Sequence, residues 1–311
     1  MWARVLGSAA GGGFPQWDCA CDNCAGVRAG TLPARIRTQA SIAVSGDRRR
    51  WFLVNATPDI NGQLAALAVE TSSTALDQLS GRETGPVRRS PVDAVLLTDA
   101  ELDHIAGLLS LREGKRLVVY ASAWVHRAAT PILDVLSAYT EVEWREVAVG
   151  APVCLDEETG LTCQAIPTGS TKRPRYARHM SPDPTAVVGY RFSGPPGSPI
   201  LVYLPCVPEL TDALVAELSG TDCVLVDGTC WTDDEMARVG LASKTSRSMG
   251  HAPVTGPGGT LERLRELAVP RRIYTHLNNT NPLLVDSSPE RLTVEAAGVE
   301  VAYDGMEIKL Q

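Results

Sequence analysis

Short apolar runs recur along the chain with polar, Gly- and Pro-containing connections between them. Runs of β type fall at Ser41 to Val44, Trp51 to Val54, Ala94 to Leu97, Leu117 to Tyr120, Pro199 to Leu204, Cys223 to Val226, Arg272 to Thr275 and Val299 to Ala302. Helical spacing falls at Ile60 to Glu70, Ile105 to Leu111, Pro208 to Leu218, Gly258 to Leu267 and Pro289 to Ala297. Strands alternating with helices predict an α/β layered fold. Strands and candidate polar groups come from both halves, so a single domain over residues 1–311 is expected rather than two. Thr71 to Ser90 and Pro167 to Ala186 read as long irregular stretches, of a length usual for functional covers or disorder.

Composition narrows the class. With 44% hydrophobic and 21% charged residues the chain can bury a sizeable core. A net charge of −7 argues against a general nucleic-acid or anionic-membrane binder, since both need a positive field. The basic groups Arg48 to Arg50 and Lys172, Arg173, Arg175 and Arg178 read as solvated loop charge. No run of about 18 apolar residues predicts a membrane span. The opening Met1 to Gly7 lacks a signal-peptide core, so a cytoplasmic protein is expected. In that reducing compartment the eight cysteines should not form disulfides. Cys154, Cys163, Cys206, Cys223 and Cys230 read as small buried hydrophobes.

The remaining three, Cys19, Cys21 and Cys24, lie close enough to share one ion. Three thiolates suit Zn²⁺, which takes four tetrahedral ligands, so residues 17–26 are expected to form a structural zinc segment with one ligand supplied from elsewhere. A second constellation, Asp99-Ala100-Glu101-Leu102-Asp103-His104, sits between a strand and a helix. That is where α/β sheets place ligand groups, and three carboxylates beside a histidine repel one another unless a cation is present. Asp227 ends another buried strand, as a ligand or as a turn residue. His276 opens the polar loop after a third strand. Asp103, His104, Asp227 and His276 are therefore the candidate metal ligands. His251, in Met249-Gly250-His251, is read as a proton shuttle or substrate contact, or else as a helix-entry residue.

These strand-end residues resemble the metallo-β-lactamase fold, whose signature is H-x-H-x-D-H followed by later His, Asp and His positions. Asp99 and Glu101 stand where its two leading histidines belong, Asp103 and His104 match, and Asp227 and His276 fit the later Asp and His. More closely, Leu6 to Trp17 with the three cysteines, Arg37 to Ala43, Asn55 to Ile60, Leu97 to His104, Met249 to His251 and His276 to Pro282 are similar to the coenzyme PQQ synthesis protein B family. The similarity runs from about residue 5 to 308.

The resemblance implies an αββα sandwich and a place in the bacterial synthesis of pyrroloquinoline quinone (PQQ) from Glu and Tyr side chains of a precursor peptide. Two roles follow from it: a metal-dependent hydroxylase of the tyrosine moiety, or a carrier of PQQ or its precursor towards the periplasm. Metal-dependent hydrolysis is disfavoured because acids replace the leading histidines. A mixed His and carboxylate centre suits Fe(II), and Zn or Mn also fit. Catalytic roles are then expected for His251, Asp99 and Glu101, with His179 near the fold's middle histidine as an added ligand. Arg35, Arg37, Lys172 and Arg173 are candidate partners for substrate carboxylates. Asn279 stands where related phosphodiesterases have the histidine that completes a three-cysteine site. The expected partners are the precursor or PQQ and other PQQ biosynthesis proteins, and a homodimer is left open.

Overall fold

Apolar residues that alternate along a strand can only be covered on both faces if sheets stack and helices close the outside. In the computed structural model the described residues are 1–76, 90–241 and 243–311. Among them fourteen strands form two seven-stranded sheets. The first contains β1 (Trp2–Gly7), β2 (Ser41–Ser45), β3 (Phe52–Val54), β4 (Ala94–Leu96), β5 (Arg116–Ala121) and β6 (Glu141–Glu146). The second contains β7 (Pro152–Asp156), β8 (Leu161–Pro167), β9 (Val188–Ser193), β10 (Leu201–Leu204), β11 (Cys223–Asp227), β12 (Arg271–Thr275) and β13 (Glu300–Val301). The last strand, β14 (Glu307–Lys309), returns to the first sheet and pairs antiparallel with β1. The sheet orders are β14-β1-β2-β3-β4-β5-β6 and β13-β12-β11-β10-β9-β8-β7.

The helices are α1 (Asp22–Arg28), α2 (Ile60–Leu76), α3 (Leu102–Ile105), α4 (Ala123–Ser137), α5 (Asp212–Glu217), α6 (Glu235–Arg238), α7 (Thr260–Glu266) and α8 (Pro289–Ala296). The strand period of two sorts the core into layers. Ile42, Val44, Tyr190, Phe192, Cys223, Leu225 and Ile273 meet between the sheets. Leu53, Val95 and Val119 point the other way, against Ile60, Leu67, Trp124 and Leu133 of α2 and α4. Val202, Val224 and Val226 face Leu214, Leu264 and Val294 of α5, α7 and α8. This is the αββα sandwich of the metallo-β-lactamase fold, in one domain.

Each sheet has a parallel stretch, β3 to β6 and β10 to β13, and both stretches deliver loops to the site from their carboxyl ends. Several readings need correction. The stretch beginning at Thr71 is helical as far as Leu76, where neither Gly nor Pro interrupts the chain, and residues 77–89 lie outside the described residues. The helix expected over Ile105 to Leu111 is one α turn, α3, continued as a 3-10 helix over Ala106–Glu113. Helix α4 escaped the pattern because Pro131 lies inside it. Its start is fixed by Ser122, whose hydroxyl accepts a hydrogen bond from the Val125 amide at 3.1 Å. Cys154 is exposed on the edge strand β7 rather than buried. No helix among the described residues is long and apolar enough to cross a membrane.

The inter-sheet layer carries the stability of the site's platform. Leu225→Ala, at a fully buried position of that layer, is expected to cost about 2–5 kcal/mol, read as a lower midpoint in urea unfolding with the transition slope unchanged.

Candidate metal centre

A buried imidazole has two polar nitrogens, and the partner of one decides where the other points. His104, on α3 just after β4, is 1% exposed. Its Nδ1 lies 2.7 Å from Oδ2 of the buried Asp99, which leaves Nε2 without a partner. His276 follows β12 and is 3% exposed. Its Nδ1 lies 2.8 Å from the Thr229 hydroxyl, and its Nε2 is likewise buried and unpartnered. The Thr229 hydroxyl lies 2.6 Å from Asp227 Oδ1, its nearest acceptor. Donating there turns a lone pair toward Nδ1 of His276, fixing the tautomer with a free Nε2.

The Asp103 carboxylate comes between these two nitrogens. Its Oδ2 is 3.9 Å from Nε2 of His104 and 3.7 Å from Nε2 of His276. His251 stacks on His276 with ring centroids 5.1 Å apart, and its Nδ1 sits 2.7 Å from Asp227 Oδ2. Asp227 also accepts from the amides of Val207, at 2.8 Å, and Thr229, at 3.0 Å. The predicted ligands Asp103, His104, Asp227 and His276 are thus brought together with His251. Asp103 and the two Nε2 atoms face one another, and Asp227 braces His251 directly and His276 through Thr229.

Asp99 and Glu101 divide their labour. Asp99 accepts from Thr98 Oγ1 at 2.9 Å and from the Glu101 amide at 2.9 Å besides holding His104. Glu101 lies on the wall of a cavity of about 590 Å³ and is 3.4 Å from Nζ of Lys172. Asp103, His251 and His276 open into the same cavity, and Lys172, Arg173, Arg175, Arg178 and Lys244 line it. The basic loop therefore forms part of the pocket wall, with Lys172, Arg175 and Arg178 still exposed as the sequence suggests. His179 on that loop is exposed and is not among the cavity's residues. Neither are Arg35, which stacks on Tyr303, nor the buried Arg37, which donates to Ser8 Oγ and the Ala302 carbonyl.

In the metal-free protein the two histidines are shifted in opposite directions. Burial works against a charge on His104, yet Asp99 and Asp103 raise it from the ordinary 6.5 to about 9. Burial lowers His276, which favours the neutral ligand form. Burial favours protonated Asp103, but His104 and His276 outweigh it and hold the carboxyl well below the usual range. Burial raises Glu101 against the opposing charge of Lys172. His276 also has a left-handed backbone, φ 59°, rare without glycine and held here by the hydrogen bonds that the next two amides, Leu277 and Asn278, donate to the Ser8 and Thr229 carbonyls.

Cys206, expected from the sequence to be a small buried hydrophobe, lies beside the two histidines. It follows β10 as Asp227 ends β11 and His276 follows β12, and one ligand atom each from His104, Cys206 and His276 lie within 4.8 Å of one another. A separate cluster brings the sulfurs of Cys19, Cys21 and Cys24 together. The Asn279 side-chain amide caps it, with Nδ2 3.0, 3.6 and 3.4 Å from the three sulfurs in that order. Burial pushes the Cys21 thiol up to about 12, so the trio does not fully ionise near neutral pH without a cation.

Two stacked sheets with strand-end His and carboxylate donors define a β-lactamase-superfamily protein, and the model of the beta-lactamase superfamily domain matches residues 50–277. The chain is 42% identical over the full length of both chains to coenzyme PQQ synthesis protein B of Pseudomonas putida, and equally so to that of an Azoarcus species. The crystal structure of Zn²⁺-bound PqqB from Methylobacterium extorquens superposes with a TM-score of 0.86 at 38% identity, covering all of both chains. This chain belongs to the coenzyme PQQ synthesis protein B family. A diphosphatase of the PhnP family shares the fold, at TM-score 0.65 and 21% identity over all of this chain and 98% of that one.

Three outcomes are expected. His104→Ala or His276→Ala loses the metal of this centre, measured by elemental analysis after dialysis. Thr229→Val, which removes the hydroxyl that orients His276, weakens metal binding about 10- to 100-fold in a competition titration. In the metal-free protein, His104 is raised by folding, so its stabilising contribution is full below about pH 6.5 and is lost as pH rises through about 9. Unfolding midpoints across that window should fall with pH, and Asp99→Asn should flatten the slope.

Proposed function

We propose that this protein acts in PQQ biosynthesis as a metal-dependent hydroxylase of the tyrosine-derived ring of the precursor, with Fe(II) at the centre formed by His104, His276 and Asp103. The observation that carries the reading is the pair of buried, unpartnered Nε2 atoms facing the carboxylate of Asp103, which lines a cation-rich cavity together with His276. Two imidazoles and a carboxylate with open positions make the donor set of non-haem iron oxygenases, and iron bound there would supply O₂ activation. Hydroxylation of a phenol by O₂ also draws two electrons from a donor and releases water.

The residues of the chain do the rest. Lys172, Arg173, Arg175, Arg178 and Lys244 hold the carboxylates that the Glu-derived part of the precursor carries. Asp99 and Asp227 are positioning residues that act through His104, His251 and His276. His251 and Glu101 face the cavity and are the groups available to take or return a phenolic proton. The structural ion is assigned as Zn²⁺ on Cys19, Cys21 and Cys24, with the Asn279 amide at the fourth corner. Rotation of that amide presents its oxygen in place of its nitrogen.

The same ring of cations favours a second reading, a carrier that holds an acidic quinone without turning it over. Dizinc hydrolysis has less support, because Asp99 is already used by His104 and Glu101 pairs with Lys172.

Protein purified anaerobically and loaded with Fe(II) should consume O₂ over many turnovers only with a tyrosine-derived precursor and a reductant such as ascorbate, and should place labelled oxygen in the product. Tight stoichiometric binding of precursor or PQQ without uptake would overturn the hydroxylase in favour of the carrier.

A further inference from the structure

We propose that Cys206 is a thiolate ligand of the metal at His104 and His276, making this a centre of two imidazoles, a carboxylate and a sulfur. The inference rests on the metal-centre reading above but not on the hydroxylase. It concerns which ions the site prefers.

The first observation is placement. Strands β10, β11 and β12 run parallel and adjacent, and each releases one polar group at its carboxyl end: Cys206, Asp227 and His276. His104 arrives from the facing sheet, so Cys206 and His104 approach the centre from opposite sheets. The second is proximity, with ligand atoms of His104, Cys206 and His276 all within 4.8 Å of one another. A third observation is independent of the cysteine. The Nδ1 atoms of both histidines are taken by Asp99 and Thr229, while both Nε2 atoms are buried without a partner. Such orphaned groups are costly unless something binds them.

Cys206 also differs from the cysteines that merely fill space. Cys163 and Cys223 belong to the apolar layer between the sheets, whereas Cys206 lies outside it, beside the two histidines. A thiolate is a soft donor that favours Zn²⁺, Co²⁺ and iron over Mn²⁺ and Mg²⁺, which prefer oxygen. Without Cys206 the site would be a harder His and carboxylate centre with little discrimination against manganese.

The test uses the full-length protein carrying zinc in its three-cysteine cluster, with the His site stripped by mild chelation, titrated with Co²⁺ alone. Wild type should develop the visible d–d bands of bound cobalt together with a near-ultraviolet sulfur-to-cobalt charge-transfer band at one equivalent. His104→Ala keeps the three-cysteine cluster and should develop neither, so any band it does show is subtracted as cobalt exchanged into that cluster. Cys206→Ser should keep the d–d bands, lose the charge-transfer band and bind Co²⁺ and Zn²⁺ about 10- to 100-fold more weakly, with Mn²⁺ affinity nearly unchanged. As a second readout, Zn²⁺ should protect Cys206 from iodoacetamide, mapped by peptide mass, in wild type and not in His104→Ala. Cobalt bound in wild type without the sulfur band, or a band that survives Cys206→Ser, overturns the thiolate ligand while leaving the metal centre standing. Absence of any cobalt binding dependent on His104 overturns both.

Discussion

The structure depends on one constraint: each imidazole of the centre is held at Nδ1 so that its Nε2 is turned inward. Asp99 does this for His104 and Thr229, seated on Asp227, does it for His276. Neither anchor is local to a single element. Thr98, whose hydroxyl donates to Asp99, is gripped in turn by Asn55 at the end of β3, whose amide exchanges hydrogen bonds with it, and Asp227 is fixed by the Val207 amide beyond β10. The centre therefore spans the edge of the sandwich, with one histidine from each sheet. Its donors come together only when the inter-sheet core is formed, which ties metal affinity to folding of the whole domain.

This arrangement explains what could and could not be read from the sequence. Buried strands ending in polar residues pointed to Asp103, His104, Asp227 and His276, because a strand end in a layered α/β fold has few other uses for buried acids and histidines. The strands β2 to β5 and β10 to β13 were legible as apolar runs. Edge strands β6 and β7 were not, since Glu141–Glu146 and Pro152–Asp156 face solvent and carry no apolar run to find. Distinguishing a ligand from its brace was also out of reach. Asp99 and Asp227 look like Asp103 in sequence, whereas the structure joins Asp99 to Nδ1 of His104 and groups Asp227 with His251 and His276 as donors that could share an ion. Nothing in the sequence around Cys206 separates it from lone cysteines that pack, and only the fold brings it beside His104 and His276.

Much of the family resemblance turns out to be scaffolding for the same loops. Gly11 lets the backbone pass over Asp103, where an added Cβ would lie 3.0 Å from the carboxylate oxygen. Thr38 and Ser8 are tied to Asp304, and Gln39 to Asp59. The segment Asn278 to Asn281 is clamped from both sides. Asn281 donates to the Gly228 and Thr229 carbonyls, Asn23 donates to the Asn279 and Asn281 carbonyls, and Leu277 pairs with Ser8 and Ala10. That clamp is what permits the left-handed backbone at His276. It also means that the three-cysteine cluster, capped by Asn279 three residues further on, is mechanically part of the metal centre although its sulfurs do not enter it.

The charge distribution completes the argument for an acidic small-molecule ligand. A chain with net charge −7 repels anions at long range, yet the cavity wall gathers Lys172, Arg173, Arg175, Arg178 and Lys244 around only a few acids. Glu101 and Lys172 neutralise one another, so the guanidinium groups beside them remain available to bind. A field confined to one concave surface favours a compact polyacid that can enter it over an extended polyanion such as nucleic acid, which would meet the negative exterior first. The same cavity is lined by Asp103 and His276, so its cations and two donors of the candidate metal centre share one concave surface.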